Sequence, residues 1–164
     1  KRNIVRSSIN IVVKENSNKA VLDIYTFFSG KGIGLVEASN PAEFMLKKLK
    51  SNNINVSKNI IIDCISMKKQ ESEQVVYIQG PSALTDLSLV ISSLLKSKEV
   101  NLIILDSISS LLIHNTDIIL IRFLHDLVQK IRNTQKKSVL IILEKDKKGS
   151  LASIPLFCDA VIEA

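Results

Sequence analysis

The sequence predicts a doubly wound α/β fold, a mostly parallel sheet covered on both faces by helices. Short apolar runs alternate along the chain with longer amphipathic segments, the order that repeated β-α-β winding requires. Several of these runs are apolar without a break, as strands buried on both faces are, whereas a half-exposed antiparallel strand alternates apolar with polar. With short, right-handed crossovers, such a sheet gathers its polar residues at the carboxyl ends of the strands, where open α/β sheets bind ligands.

The first strand is expected over Ile9 to Val13, followed by a loop and a helix. Further strands are expected over Ile33 to Val36, Ile60 to Ile62, Val75 to Ile78, Leu102 to Leu105, Val139 to Leu143 and Ala160 to Ile162. Asn40-Pro41-Ala42-Glu43 supplies a cap, a proline at the first helical position and a glutamate at the third, which predicts a helix over 41–51. Pro81-Ser82 opens another, with Leu84, Leu87, Val90, Ile91, Leu94 and Leu95 at helical spacing. After Asn115, Leu120, Phe123, Leu124, Leu127, Val128 and Ile131 form one apolar stripe, opposite Arg122, Asp126, Gln129 and Lys130. His125 is expected beside that polar face. The strand ends then present Lys14 and Glu15, Glu37, Asp63, Gln79, Asp106 and Glu144. Polar residues where a buried strand meets solvent account for Gln79 and Asp63, and least well for Asp106.

At 164 residues, 46% of them hydrophobic, residues 1–164 read as one domain large enough to bury a core. The chain lacks an initiating Met, which is compatible with a piece of something longer. No run approaches the roughly 18 apolar residues of a membrane span, and Lys1-Arg2-Asn3-Ile4-Val5-Arg6 has no signal-peptide core, so a cytoplasmic location is expected. Cys64 and Cys158 read as free thiols of a reducing compartment, and His114 and His125 are too far apart for a zinc site. The net charge of +6, from 22 basic and 16 acidic residues, is mostly scattered lysine without interleaved aromatics. That describes a solvated surface better than a nucleic-acid platform.

The segment Val13-Lys14-Glu15-Asn16-Ser17-Asn18-Lys19-Ala20 has the position of a phosphate-binding loop, G-x-x-x-x-G-K-[ST], whose glycines let backbone N–H groups ring a phosphate and whose hydroxyl holds Mg²⁺. Val13 and Asn18 stand where the glycines belong, and Ala20 where the hydroxyl belongs. Asn tolerates a left-handed backbone, but a β-branched residue does not, so the loop is expected to open or tighten. Lys19 remains, in what reads as a first helical turn.

Leu102-Ile103-Ile104-Leu105-Asp106-Ser107-Ile108-Ser109-Ser110-Leu111-Leu112 resembles the Walker B segment of RecA-like ATPases, and the KaiC-like archaeal and bacterial family in particular. The order of segments strengthens the likeness: the loop above, a strand into Asn40-Pro41, Ile60-Ile61-Ile62-Asp63-Cys64-Ile65-Ser66, Gly80 to Leu87, Arg122 to Leu127, and a closing Cys158-Asp159-Ala160-Val161-Ile162-Glu163. The resemblance covers almost the whole chain and implies a RecA-like three-layer sandwich. It implies that Asp106 orients the water shell of Mg²⁺, if Mg-nucleotide binds at all, and that Lys19 reaches the β and γ phosphates. The family's paired glutamates before the proline are replaced by Ala38 and Ser39. Glu37 lies one residue earlier and is expected to point elsewhere, because a one-residue shift changes faces of a strand.

Loop glycines, metal hydroxyl and base are therefore all missing, and losing one donor or base costs about 10² to 10⁴ in rate. The resulting expectation is a degenerate RecA/KaiC-like domain with no catalytic residue and no firm cofactor, regulating or scaffolding through protein contacts with another copy or an intact relative. Ile118, Ile119 and Phe157 are candidate contacts, with core packing the competing fate of each. The alternative is a sensor that holds ATP and Mg²⁺ weakly through Lys19, Asn18 and Asp106 without efficient hydrolysis. A third reading, weaker still, is salt-sensitive nucleic-acid binding by the lysine-rich surface.

Overall fold

The computed structural model describes residues 9–14, 17–68 and 72–163, with Lys14, Ser17 and Asn18 described by their backbone. The basic start of the chain, Glu15, Asn16 and Lys69 lie outside those residues. All the expected strands form: β1 (Ile9–Lys14), β2 (Gly32–Glu37), β3 (Ile60–Asp63), β4 (Val75–Tyr77), β5 (Val100–Asp106), β6 (Lys137–Leu143) and β7 (Ala160–Glu163). They make one 7-stranded sheet in the order β4-β3-β2-β5-β6-β1-β7. Every pairing in it is parallel.

Among the described residues, five α-helices cover the sheet: α1 (Ser17–Phe27), α2 (Ala42–Ser51), α3 (Leu84–Lys96), α4 (Ile108–His114) and α5 (Asp117–Arg132). From β1 to β4 the winding moves toward one edge of the sheet, and from β5 to β7 toward the other. Right-handed crossovers that reverse direction must place their helices on opposite faces. So α1 and α2 pack with Val12, Leu35, Ile61, Ile104 and Ile141 on one face. On the other, α3, α4 and α5 pack with Ile11, Val36, Ile62, Leu105 and Leu140.

The entire apolar stripe expected after Asn115 is buried, and His125 is exposed. α4 is a separate helix that periodicity did not reveal, because it is only 7 residues long. Nor did periodicity reveal the 3-10 segments Glu144–Asp146 and Gly149–Phe157 between β6 and β7. The expected cap of α2 is not used. The helix begins at Ala42 with Pro41 at its N-cap and no capping side chain from that position; instead, Asp63 at the end of β3 accepts from Ala42 N at 2.8 Å. A tertiary partner has displaced the local one.

Gly32 marks where β2 meets β5. A Cβ there would lie 1.9 Å from the Glu99 carbonyl oxygen, so only glycine permits this backbone approach.

Candidate functional site

Glu37, Asp63 and Asp106 end three adjacent strands in one row. Glu37 is in register with Asp63 across β2 and β3, and with Asp106 across β2 and β5. Strands side by side are about 4.8 Å apart, and in-register residues of parallel strands face the same way. Since Leu35, Ile61 and Ile104 belong to the α1–α2 core, the three acidic residues end that same face. All three are buried. The sequence placed Glu37 away from the site; the register places it beside Asp106. β2 and β5 are also the neighbouring strands whose following helices leave to opposite faces, which is the switch point where doubly wound sheets form crevices.

The carboxyl groups of Asp63 and Glu37 are held differently. Asp63 Oδ1 accepts from Ile65 N and Ser66 N, both at 2.8 Å, and Oδ2 from Ala42 N at 2.8 Å and Ser66 Oγ at 2.7 Å. Burial alone raises its pKa, but these bonds outweigh it and hold the carboxyl below its ordinary value. Asp63 thereby ties β3, the start of α2 and the following loop together. It is a structural clamp and not a surface polar residue.

Glu37 Oε1 accepts from Ser39 N at 3.1 Å and Asn40 N at 2.9 Å. Its Oε2 has no hydrogen-bond partner among the described residues. Burial, and then the charge of Asp106, push the Glu37 carboxyl up to about 9 against the lowering effect of those N–H groups. Burial and Asp106 together thus favour the protonated form of Glu37.

Tyr25, on α1, also contributes a buried hydroxyl without a partner among the described residues. Burial first, and the Glu37 charge second, raise its pKa well above the usual phenol value. Cys64 is a buried free thiol whose pKa rises to about 12, through burial and then Asp63 and Glu37, so it is no nucleophile at neutral pH.

Beside the row, the serines after Asp106 lock α4 in place. Ser107 Oγ caps α4 by accepting from Ser110 N at 3.1 Å and lies 3.0 Å from Ser110 Oγ. Ser110 Oγ lies 2.7 Å from Ser39 Oγ, and Ser109 Oγ accepts from Leu143 N at 2.9 Å. Thus β2, α4 and β6 are joined by hydroxyls immediately behind the strand ends. The register between strands would have revealed Glu37, and the buried spacing of Ala20, Val21, Ile24 and Tyr25 would have revealed Tyr25; single motifs reveal neither.

The residues singled out at the β1–α1 junction lie apart from this row. β1 continues through Lys14 and α1 starts at Ser17. Asn18 is therefore helical and does not use a left-handed backbone, and Lys19 is exposed in the first turn of α1. Val13, at the first glycine position, is a buried strand residue of the α3–α5 core. Ala20 is buried against the other face with Val21 and Ile24. β6 separates β1 from β5, so the junction and Asp106 are two strand spacings apart, roughly 10 Å.

No protein-family model matches the chain, and no curated protein matches it. Among solved structures it is similar to the KaiC-like protein PH0186 of the hyperthermophilic archaeon Pyrococcus horikoshii OT3. That likeness has a TM-score of 0.69 at 12% identity, over 96% of this chain and 72% of that one. It is also similar to the uncharacterized protein PH0321 of Pyrococcus horikoshii, solved in complex with an unknown peptide. There the TM-score is 0.64 at 17% identity, over 96% of this chain and 77% of that one. The chain thus has the three-layer, RecA-like α/β fold of its KaiC-like neighbour PH0186.

Proposed function

We propose that the chain is a non-catalytic KaiC-like domain that regulates or scaffolds through protein contacts, its partner another copy or an intact relative. One observation carries this reading. Val13 is paired within β1 and Asn18 lies within α1, so the two positions that are glycine in a phosphate-binding loop belong here to a strand and a helix. Backbone already paired in a strand at one of these positions and helical at the other does not curl around a triphosphate.

The other residues agree. Ala20 offers no hydroxyl to a metal and is packed into the core. Glu37, whose protonated form is favoured by burial and by Asp106, is poorly suited to act as a general base. These residues do not fit a Mg-nucleotide. A peptide bound to the neighbour PH0321 supports a protein-binding role for this fold.

A weak nucleotide sensor is favoured only by Lys19, whose exposed position in the first turn of α1 leaves it free to meet an anion. Thermal unfolding with millimolar Mg-ATP separates the readings. No shift and no phosphate release are expected. Ligand at one hundred times its Kd stabilises by about 2.7 kcal/mol; a shift of that order, abolished by Lys19→Ala, establishes the sensor instead. Phosphate release lost in Asp106→Asn overturns the non-catalytic reading altogether.

A further inference from the structure

On the face of the molecule away from α1, α3 and α5 leave a groove of about 450 Å³ between them. Its walls are Leu84 and Leu89 of α3 with Ile119 and Phe123 of α5. Leu84 and Phe123 are buried in the core, but Leu89 is 66% exposed and Ile119 52% exposed. Ile118, at 65%, extends the apolar surface along α5. An apolar trough of this kind receives the i, i+3, i+4 and i+7 anchors of an amphipathic helix laid along it.

The polar residues of the groove select the charge of the occupant. Lys130 pairs with Asp126 at 2.9 Å and donates to Ser88 Oγ at 2.7 Å, so the single carboxylate lining the groove is already engaged. Arg122 also lines the groove, is exposed, and forms no ion pair among the described residues. The groove therefore carries one uncompensated guanidinium beside an apolar floor. A partner presenting a carboxylate there gains a bidentate hydrogen-bonded pair, while one presenting a cation meets repulsion.

We infer that this groove binds an acidic amphipathic helix of a partner protein, its apolar side chains seated between Leu89 and Ile119 and its carboxylate on Arg122. The inference rests on the protein-interaction reading above, in its form with a partner other than a second copy, and gives it a surface.

The test is selection from a displayed library of amphipathic helical peptides, about 16 residues long, with the apolar face kept aliphatic and the flanking positions randomised among Glu, Lys and Gln. The protein is screened in parallel with its Leu89→Lys and Ile119→Asp variants, each checked for an unchanged fold by circular dichroism. Selected peptides are expected to favour Glu, to lose at least tenfold in affinity against either variant, and to shift backbone NMR resonances of α3 and α5. Arg122→Glu is expected to reverse the preference from Glu to Lys while leaving the fold intact.

Three outcomes overturn the proposal. They are peptides that bind the groove variants equally well, enrichment without preference for Glu, and concentration-dependent self-association of the free protein that occupies α3 and α5, which assigns the groove to a second copy. Failure here with no nucleotide turnover sinks the groove alone, whereas phosphate release sinks the reading beneath it.

Discussion

The end of β3 and the junction of β2 with β5 belong to one row of the sheet, yet they treat a buried carboxyl group in opposite ways. Asp63 and Glu37 are register partners, and both are buried. Asp63 accepts four hydrogen bonds and its pKa falls. Glu37 has donors on one oxygen only, lies beside Asp106, and its pKa rises to about 9. Burial raises both, but at Asp63 four aimed donors outweigh it, whereas at Glu37 burial and the Asp106 charge outweigh two backbone donors. The β3 end is built to hold the scaffold together; at the switch point Glu37 keeps one carboxyl oxygen without a hydrogen-bond partner among the described residues.

Removing the clamp is the strongest way to break this contrast. Asp63→Ala leaves the N–H groups of Ala42, Ile65 and Ser66 without their acceptor, in a site where Asp63 is fully buried. A cost of about 3 to 5 kcal/mol is expected, because bonds to a charged group are worth more than neutral ones and the stranded donors add a desolvation penalty. Urea denaturation measures it as a fall in midpoint with little change in slope. A loss below about 1 kcal/mol would mean that the loop and α2 hold themselves without Asp63.

The next largest effect is a pH dependence of opposite sign at the two ends. A group whose folded pKa is raised, as for Glu37, contributes stability that is complete below its unfolded pKa near 4.5 and disappears as pH rises through about 9. A group whose folded pKa is lowered, as for Asp63, contributes stability above its unfolded pKa near 3.8 that disappears as pH falls through its folded value. Stability should therefore decline on both sides of mildly acidic pH, with an alkaline limb of up to about 1.4 kcal/mol per pH unit. Glu37→Gln should flatten the alkaline limb and leave the acid limb in place, as followed by denaturation midpoints from about pH 2 to 9. An alkaline limb that survives Glu37→Gln would place the buried proton elsewhere.

How much of this was legible in the sequence follows the range of each interaction. Unbroken apolar runs such as Leu102 to Leu105 and Val139 to Leu143 declare buried parallel strands, because every residue of such a strand meets a helix layer. The stripe from Leu120 to Ile131 declares α5 in the same way. The site was less legible. The motif positions Lys19 and Asp106 could be found from local pattern, but the partnership of Glu37 with Asp106 depends on register between strands that are 69 residues apart in sequence, the difference between 37 and 106. The Asn40 cap failed for a related reason: a carboxylate 21 residues further along reached Ala42 first, and its presence there is decided by the sheet and not by the local sequence.

The finest test of the contrast is a single hydroxyl. Tyr25 Oη is buried without a hydrogen-bond partner among the described residues, on the same under-bonded side as Glu37. A buried polar atom that lacks a partner costs desolvation without return, so removing it while keeping the ring should be neutral or should stabilise the fold by up to about 1 kcal/mol. Tyr25→Phe keeps the aromatic volume among Val21, Ile24 and Ile104, so no cavity term obscures the result. Thermal unfolding at pH 6, where Glu37 is protonated, gives the cleanest reading, because the Tyr25 phenol then meets no charge on Glu37. A destabilisation of more than about 1 kcal/mol would show that the hydroxyl is bonded after all, and the switch point would then be as fully satisfied as the clamp beside it.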